Sequence, residues 1–255
     1  MKVLISLCFL IAAGLSSTVL ASDVAKEKRW ADQIVEFLID GEAEWLDADG
    51  HRFLAIYTEA ATETPRGGVI VVHGSGVHPN WQDVVHPLRT GLTEKGWTTL
   101  SIQMPVLHNE AEYHEYAPLF DEVAPRLRAA VKNLRDKGID HIVIVAHSLG
   151  TAMTAYYLSS NPDHGVKAFV AVGMPQPRED QRMNTVAALK KISIPVLDIY
   201  GSRDLEGILE SAPKRKAAGS QNKQYTQQVV NGADHFFVNK NKELVGEVDG
   251  WIRRF

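Results

Sequence analysis

The sequence predicts an α/β protein in one domain, built on a mostly parallel sheet with helices on both faces and no large lid domain. Three observations predict it. Several segments are near-continuous runs of Val, Ile and Ala, such as "GGVIVVHG" and "HIVIVAHS", the pattern of strands buried on both faces. These runs alternate with segments of helical spacing, which favours strand–helix–strand units. The stretch between Gly173 and Asn184 is only about ten residues, too short for an inserted domain.

Each element follows in order. "AKEKRWADQIVEF" predicts a helix, and the strand after it opens around Ala43 to Leu46. The expected organisation is a leader at 1–21, a helical segment at 22–42 and the sheet domain at 43–255. "HRFLAIYTEA" predicts a second, edge-side strand, and "GGVIVVHG" the third. "WQDVVHPLRTGLTEKG" is expected to be mostly helical and to close at Gly96. "WTTLSIQMP" is a strand, and "APLFDEVAPRLRAAVKNLRDKG" a helix stopped by Gly138. "HIVIVAHS" then leads into the helix "LGTAMTAYYLSS". "VKAFVAVGMP", "IPVLDIYGSRD" and "NKQYTQQVVNGADH" are the last strands. They alternate with the helices "NTVAALKKI", "EGILESAPKRKAAG" and "NKELVGEVDGWIRRF".

Composition narrows the function classes. The chain has 255 residues, 45% hydrophobic and 23% charged, with a net charge of -4. That balance excludes global disorder and gives no basic field for nucleic acid. The short run "PKRK", Pro213 to Lys216, is expected on a solvated helix face. Lys2, the apolar "VLISLCFLIAAGL" and the small residues of "VLA" before Ser22 have the layout of a cleavable export signal. Cleavage is expected after Ala21, placing the protein in the periplasm or outside the cell with no transmembrane anchor. Cys8 is the only cysteine. Once the leader is gone, no disulfide, thiolate metal site or cysteine nucleophile remains.

The candidate chemistry centres on "AHSLG", residues 146 to 150. A serine hydroxyl attacks a carbonyl only when a base takes its proton and the backbone makes it protrude. A tight strand-to-helix turn does the second, and needs small residues two before and two after the serine. Ala146 and Gly150 meet that need, although the usual residue at the first position is glycine. The following helix aims its N-terminus at the place where negative charge would develop. "NGADHFF" places His235 after the last strand as the candidate base. "IYGSRD" places Asp204 as the candidate acid, with Asp198, inside its strand, as the rival and Glu206 assigned to the start of the next helix. Leu149 is one candidate oxyanion donor. "HGSG" supplies the second, Ser75, with Gly76 as the alternative, because Gly74 and Gly76 let the backbone fold close to the nucleophile.

Competing chemistries fit less well. "HGSGVHPN" has Pro79 where a dinucleotide motif needs its third glycine, and no phosphate-binding loop is present. The spacing of His73, His78, His86, His108 and His114 matches no zinc pattern. No cofactor and no metal are expected. His73 is expected to pack and hydrogen-bond beneath the oxyanion loop. The polar, aromatic "PVLHNEAEYHEYAP" and "MPQPRED" are candidate substrate rims, naming His108, Tyr113 and Met174, with Trp81 beside them.

Taken together, His-Gly-x-Gly, Ala-His-Ser-Leu-Gly, Gly-Ser-Arg-Asp and Ala-Asp-His, in that order over about residues 50 to 255, resemble the α/β-hydrolase superfamily. "HGSGVHPNWQDVVHPLRTGLTEKGWTTLSIQMP" also resembles a bacterial family of exported α/β-hydrolase-like proteins with no assigned function. The resemblance implies the α/β-hydrolase fold and a serine hydrolase mechanism, and it names no substrate. An ester, small-molecule or lipid, is the expected partner. The alternative is a non-enzymatic envelope protein that binds a ligand on a retained hydrolase fold.

Overall fold

The computed structural model describes residues 22–177 and 180–255, so the expected leader and Cys8 lie outside the described residues. The helix α1 (Val24–Phe37) is followed by the hairpin strands β1 (Glu42–Ala48) and β2 (His51–Thr58), then β3 (Gly68–Val72). Next come α2 (Val85–Gly91), β4 (Thr98–Ile102), a 3₁₀ segment (Tyr113–Glu122) and α3 (Val123–Asp136). The second half runs β5 (Ile142–His147), α4 (Leu149–Ser160), β6 (Ala168–Val172), α5 (Thr185–Leu189), β7 (Val196–Arg203), α6 (Glu206–Gly219), β8 (Tyr225–Asp234) and α7 (Asn241–Ile252).

The strands form one eight-stranded sheet in the order β1-β2-β4-β3-β5-β6-β7-β8. Strand β2 is antiparallel to β1 and β4, and every pairing from β4 through β8 is parallel. The period-2 alternation of side chains separates two apolar layers. Ile70, Val72, Ile144, Ala146, Phe169 and Ala171 share one core with α3, α4 and α5. Val69, Val71, Val143, Val145, Val170 and Val172 face the other way, toward α2 and α7. This explains the continuous apolar strands, since both faces are covered. The sheet order reverses between β3 and β5, and the crevice at such a switch point is where α/β sheets place ligands.

Two helices are shorter than their patterns. In "APLFDEVAPRLRAAV" the α-helix begins only at Val123, because Pro118 lies in the preceding stretch, which winds as 3₁₀. In "WQDVVHPLRTGLTEKG" α2 ends at Gly91; a 3₁₀ turn then closes at Gly96 in the left-handed region, φ 91°. A third difference concerns "PKRK". Lys214 and Lys216 are exposed, but Arg215 is fully buried and pairs with Asp198 at 2.8 Å. The helix turns that one guanidinium inward to neutralise a carboxylate inside the sheet layer.

Candidate active site

Strand β5 ends at His147, and the next residue is forced out of the sheet. Ser148 has φ 52° and ψ −127°, a left-handed conformation rare for a residue with a side chain. Its N–H donates to the Val172 carbonyl at 2.9 Å, which ties the turn to β6. The turn is tight because its neighbours are small. A Cβ at Gly150 would stand 2.3 Å from the His73 carbonyl oxygen, and one at Gly74 would stand 2.9 Å from the Ser148 Cβ. Ala146 is fully buried, paired with Val72 on one side and Ala171 on the other. Its methyl group therefore fits where the usual pattern has glycine.

Strands β7 and β8 bring two more side chains to the same edge. His235, the residue after β8, lies with its Nε2 3.0 Å from the Ser148 Oγ. Its Nδ1 lies 2.7 Å from Asp204 Oδ1. A carboxylate only accepts, so Nδ1 carries the proton and Nε2 is left to accept from the serine hydroxyl. Asp204 is held in turn: its Oδ1 accepts from the Leu205 N–H at 2.8 Å and its Oδ2 from the Gly201 N–H at 3.3 Å. Asp198 is committed elsewhere. It accepts from Arg215 Nε at 2.8 Å, the Tyr225 hydroxyl at 2.8 Å and Gln227 Nε2 at 2.9 Å.

Several supporting residues escaped the sequence reading. His147 is buried, and its Nε2–H donates to the His235 carbonyl at 2.9 Å. The two imidazole rings have centroids 4.8 Å apart and are tilted by 39° to each other. Burial, and next the neighbouring His235, push the His147 pKa down to about 4. Gly173, at φ 61°, lies directly against the imidazole: a Cβ there would meet His235 Cε1 at 3.0 Å. Phe237, also at positive φ, is fully buried beyond His235 and anchors that loop. The identities of His147 and Gly173 were visible in "AHSLG" and "AVGMP". Their role depends on contacts across the sheet, for which sequence spacing carries no signal.

The loop after β3 supplies the other wall. His73 is fully buried; its Nδ1–H donates to the Gly74 carbonyl at 2.8 Å, and its Nε2 accepts from the Met104 N–H at 2.9 Å. Burial pushes its pKa down to about 3, so it is a neutral strut beneath the loop. The backbone N–H of Leu149 opens α4 and has no partner within the helix. Ser75 faces the same cavity. Gly76 does not line it.

The cavity at Ser148 has a volume of about 470 Å³. Trp81 and Tyr113 line it, as does Phe236 beside the imidazole. Two expected rim residues do not. The left-handed turn at Gly173 sends Met174 into the core, fully buried, and presents Pro175, Gln176 and Pro177 instead. His108 stands in an exposed turn, 3.5 Å from Glu110. No Asp, Glu, Lys or Arg lines the cavity among the described residues. No helix among the described residues is long and apolar enough to cross a membrane.

Comparison with solved structures shows a common fold. Est1E from Butyrivibrio proteoclasticus superposes with a TM-score of 0.65 at 16% identity, covering 83% of this chain and 98% of that one. Dienelactone hydrolase from Anabaena variabilis gives 0.67 at 17% identity, covering 84% and 97%. An alpha-beta serine hydrolase homologue from Coxiella burnetii gives 0.63 at 18% identity, covering 86% and 99%. A search of curated proteins returns no match. One family profile, described as "Protein of unknown function (DUF3530)", matches residues 21–124 and 115–254. On that match the chain belongs to the DUF3530 family, and it carries the α/β-hydrolase fold.

Proposed function

We propose that the protein is a serine hydrolase that cleaves carboxylic esters in the cell envelope. The observation that carries this reading is the unbroken chain from Ser148 Oγ to His235 Nε2 at 3.0 Å and from His235 Nδ1 to Asp204 at 2.7 Å, at the wall of a cavity. Ser148 attacks the ester carbonyl as His235 removes its proton. The resulting imidazolium keeps its Nδ1–H on Asp204. The oxyanion sits against the N–H groups of Leu149 and Ser75, each worth about 3 to 4 kcal/mol in the transition state. His235 then protonates the departing alcohol. Water, deprotonated by the same imidazole, releases the acid and restores Ser148.

The cavity supports an uncharged substrate. With no ionised side chain on its described walls and aromatic and proline surfaces on both sides, an ionised acyl group would lose its hydration without gaining a partner. Its volume of about 470 Å³ falls within the range of small-molecule pockets. The proposed substrate is therefore a neutral ester, with the acyl part compact or only its first segment enclosed. Location in the envelope rests on the leader expected at residues 1–21.

The test is a fluorophosphonate probe together with p-nitrophenyl esters of increasing chain length. Labelling and turnover that vanish in Ser148→Ala are the expected result. A folded protein that neither labels nor turns over any ester would overturn the proposal and leave a binding role for the cavity.

A further inference from the structure

Three glycines among the described residues have no backbone reason to be glycine. Gly207, Gly246 and Gly250 lie within helices, none of them is at positive φ, and a Cβ built on any of them meets nothing within 4 Å. Every other described glycine has a left-handed φ or a close neighbour. Glycine weakens a helix through backbone entropy, so a bare position there calls for another cause. Of the three, only Gly207 lines the cavity at Ser148. It sits in the first turn of α6, next to Leu205 and Ile208, which line the same cavity.

Apolar surface continues outward from this wall. Leu205 is 56% exposed and Phe236 is 43% exposed, although both are large and both line the cavity. Phe236 is held in place. Its ring stands edge-on to the His235 imidazole, with centroids 5.2 Å apart. Asp234 Oδ1 accepts from the Phe236 N–H and from the Val238 N–H, each at 3.1 Å. Phe237, the residue between them, is fully buried at φ 52°, a costly conformation for a bulky side chain. The loop thus carries backbone strain while it buries one phenyl ring and presents the other at the cavity mouth. Strain of this kind persists only where the surroundings enforce it, and it clusters at ligand sites.

The proposed chemistry selects the half of an ester that meets this wall. The oxygen of the departing alcohol takes its proton from His235 Nε2. The alcohol half therefore lies on the imidazole side, where Phe236 stands. We propose that Leu205, Gly207, Ile208 and Phe236 form a subsite for an apolar alcohol group, and that the bare Gly207 keeps it open to a linear alkyl chain leaving over Leu205 and Phe236. Such a chain covers exposed apolar surface at the mouth and removes it from water. The inference rests on the hydrolytic reading above and adds the alcohol half of the substrate, to which that reading gives no form.

The experiment measures kcat/KM for linear alkyl acetates, ethyl to hexyl, on the whole protein by titrating the acid released. A fully buried methylene is worth about fourfold and a half-covered one about twofold, so a rise of at least about tenfold from ethyl to hexyl acetate is expected. Gly207→Phe fills the subsite and is expected to bring the hexyl-to-ethyl ratio close to one. Phe236→Ala removes part of the rim and is expected to lower that ratio about threefold or more. Each ratio is taken within one variant, so a displaced imidazole that slows both esters alike does not move it. A second series lengthens the acyl half, from ethyl acetate to ethyl hexanoate, and its ratio is expected to survive Gly207→Phe. Equal loss in both series would overturn the assignment to the alcohol half. A wild type that hydrolyses none of these esters removes the hydrolytic reading and the subsite together. Hydrolysis with a flat alcohol series, or with a rise that persists in both variants, overturns the subsite and leaves the hydrolytic reading standing.

Discussion

Replacing Gly173 by alanine separates geometry from fold. The added Cβ would lie 3.0 Å from His235 Cε1, 3.1 Å from Nδ1 and 3.5 Å from Asp204 Oδ2. Ordinary contact begins at 3.4 Å, so the imidazole must retreat by a few tenths of an ångström. It has little room, because Asp204 holds it at 2.7 Å and the tilted His147 ring lies against it with centroids 4.8 Å apart. The movement is transmitted to the 3.0 Å bond with Ser148. If a misplacement of about 1 Å is worth roughly a hundredfold, a few tenths cost about five- to tenfold in kcat. The left-handed φ of 61° adds roughly 1 to 2 kcal/mol of backbone strain, or about 2 to 8 °C in Tm. Steady-state kinetics on a short p-nitrophenyl ester and calorimetry measure the two effects separately. KM is expected to hold, since Gly173 does not line the cavity. A variant with wild-type Tm and kcat would refute the argument that this position must be bare for the imidazole to pass.

The remaining predictions concern the side chains around it. His147→Phe removes the donor to the His235 carbonyl, 2.9 Å away, and leaves a buried acceptor unpaired; a loss of about 1 to 3 kcal/mol and a lower kcat are expected, measured by urea unfolding and ester turnover. Asp204→Asn is expected to abolish most turnover while the chain still folds. Asp198→Asn is expected to leave kcat per folded molecule intact but to cost about 3 to 5 kcal/mol, because Arg215 is left buried without its partner; the reverse pattern in calorimetry and kinetics would exchange their roles. Burial lowers the pKa of His73 to about 3 and of His147 to about 4, from 6.5, so the unfolded chain binds the extra protons first as pH falls. Stability from these two groups is present above about pH 6.5 and is lost progressively toward pH 4. A Tm that stays flat over that window would contradict it.

How much of this was legible in the sequence follows from the range of each interaction. The strands could be read because burial on both faces leaves an uninterrupted apolar run, as in "GGVIVVHG", that needs no knowledge of neighbours. Ser148, Asp204 and His235 were named from turn chemistry at strand ends, which is local, and the structure brings their side chains into one hydrogen-bonded chain. What could not be read depends on contacts between distant segments. His147 meets the carbonyl of His235 across the sheet edge. Arg215 sat in a run of basic residues, and only the position of Asp198 on the neighbouring strand turned it inward. Met174 was assigned to the rim from its place after β6; the left-handed turn one residue earlier reverses its direction. The helix boundaries moved for a local reason, since Pro118 delays the α-helix to Val123.

The connection from β6 to α5 has one further consequence. Among its described residues it borders the cavity with Pro175 and Pro177 and reaches α5 after a single 3₁₀ turn, with no inserted helical cap. Among the described residues no element covers Ser148, so none of them has to swing aside before a substrate reaches it. Rate should therefore rise hyperbolically with dissolved substrate and pass through the solubility limit without a jump. An oil–water interface is then expected to add nothing to the rate that dissolved substrate gives.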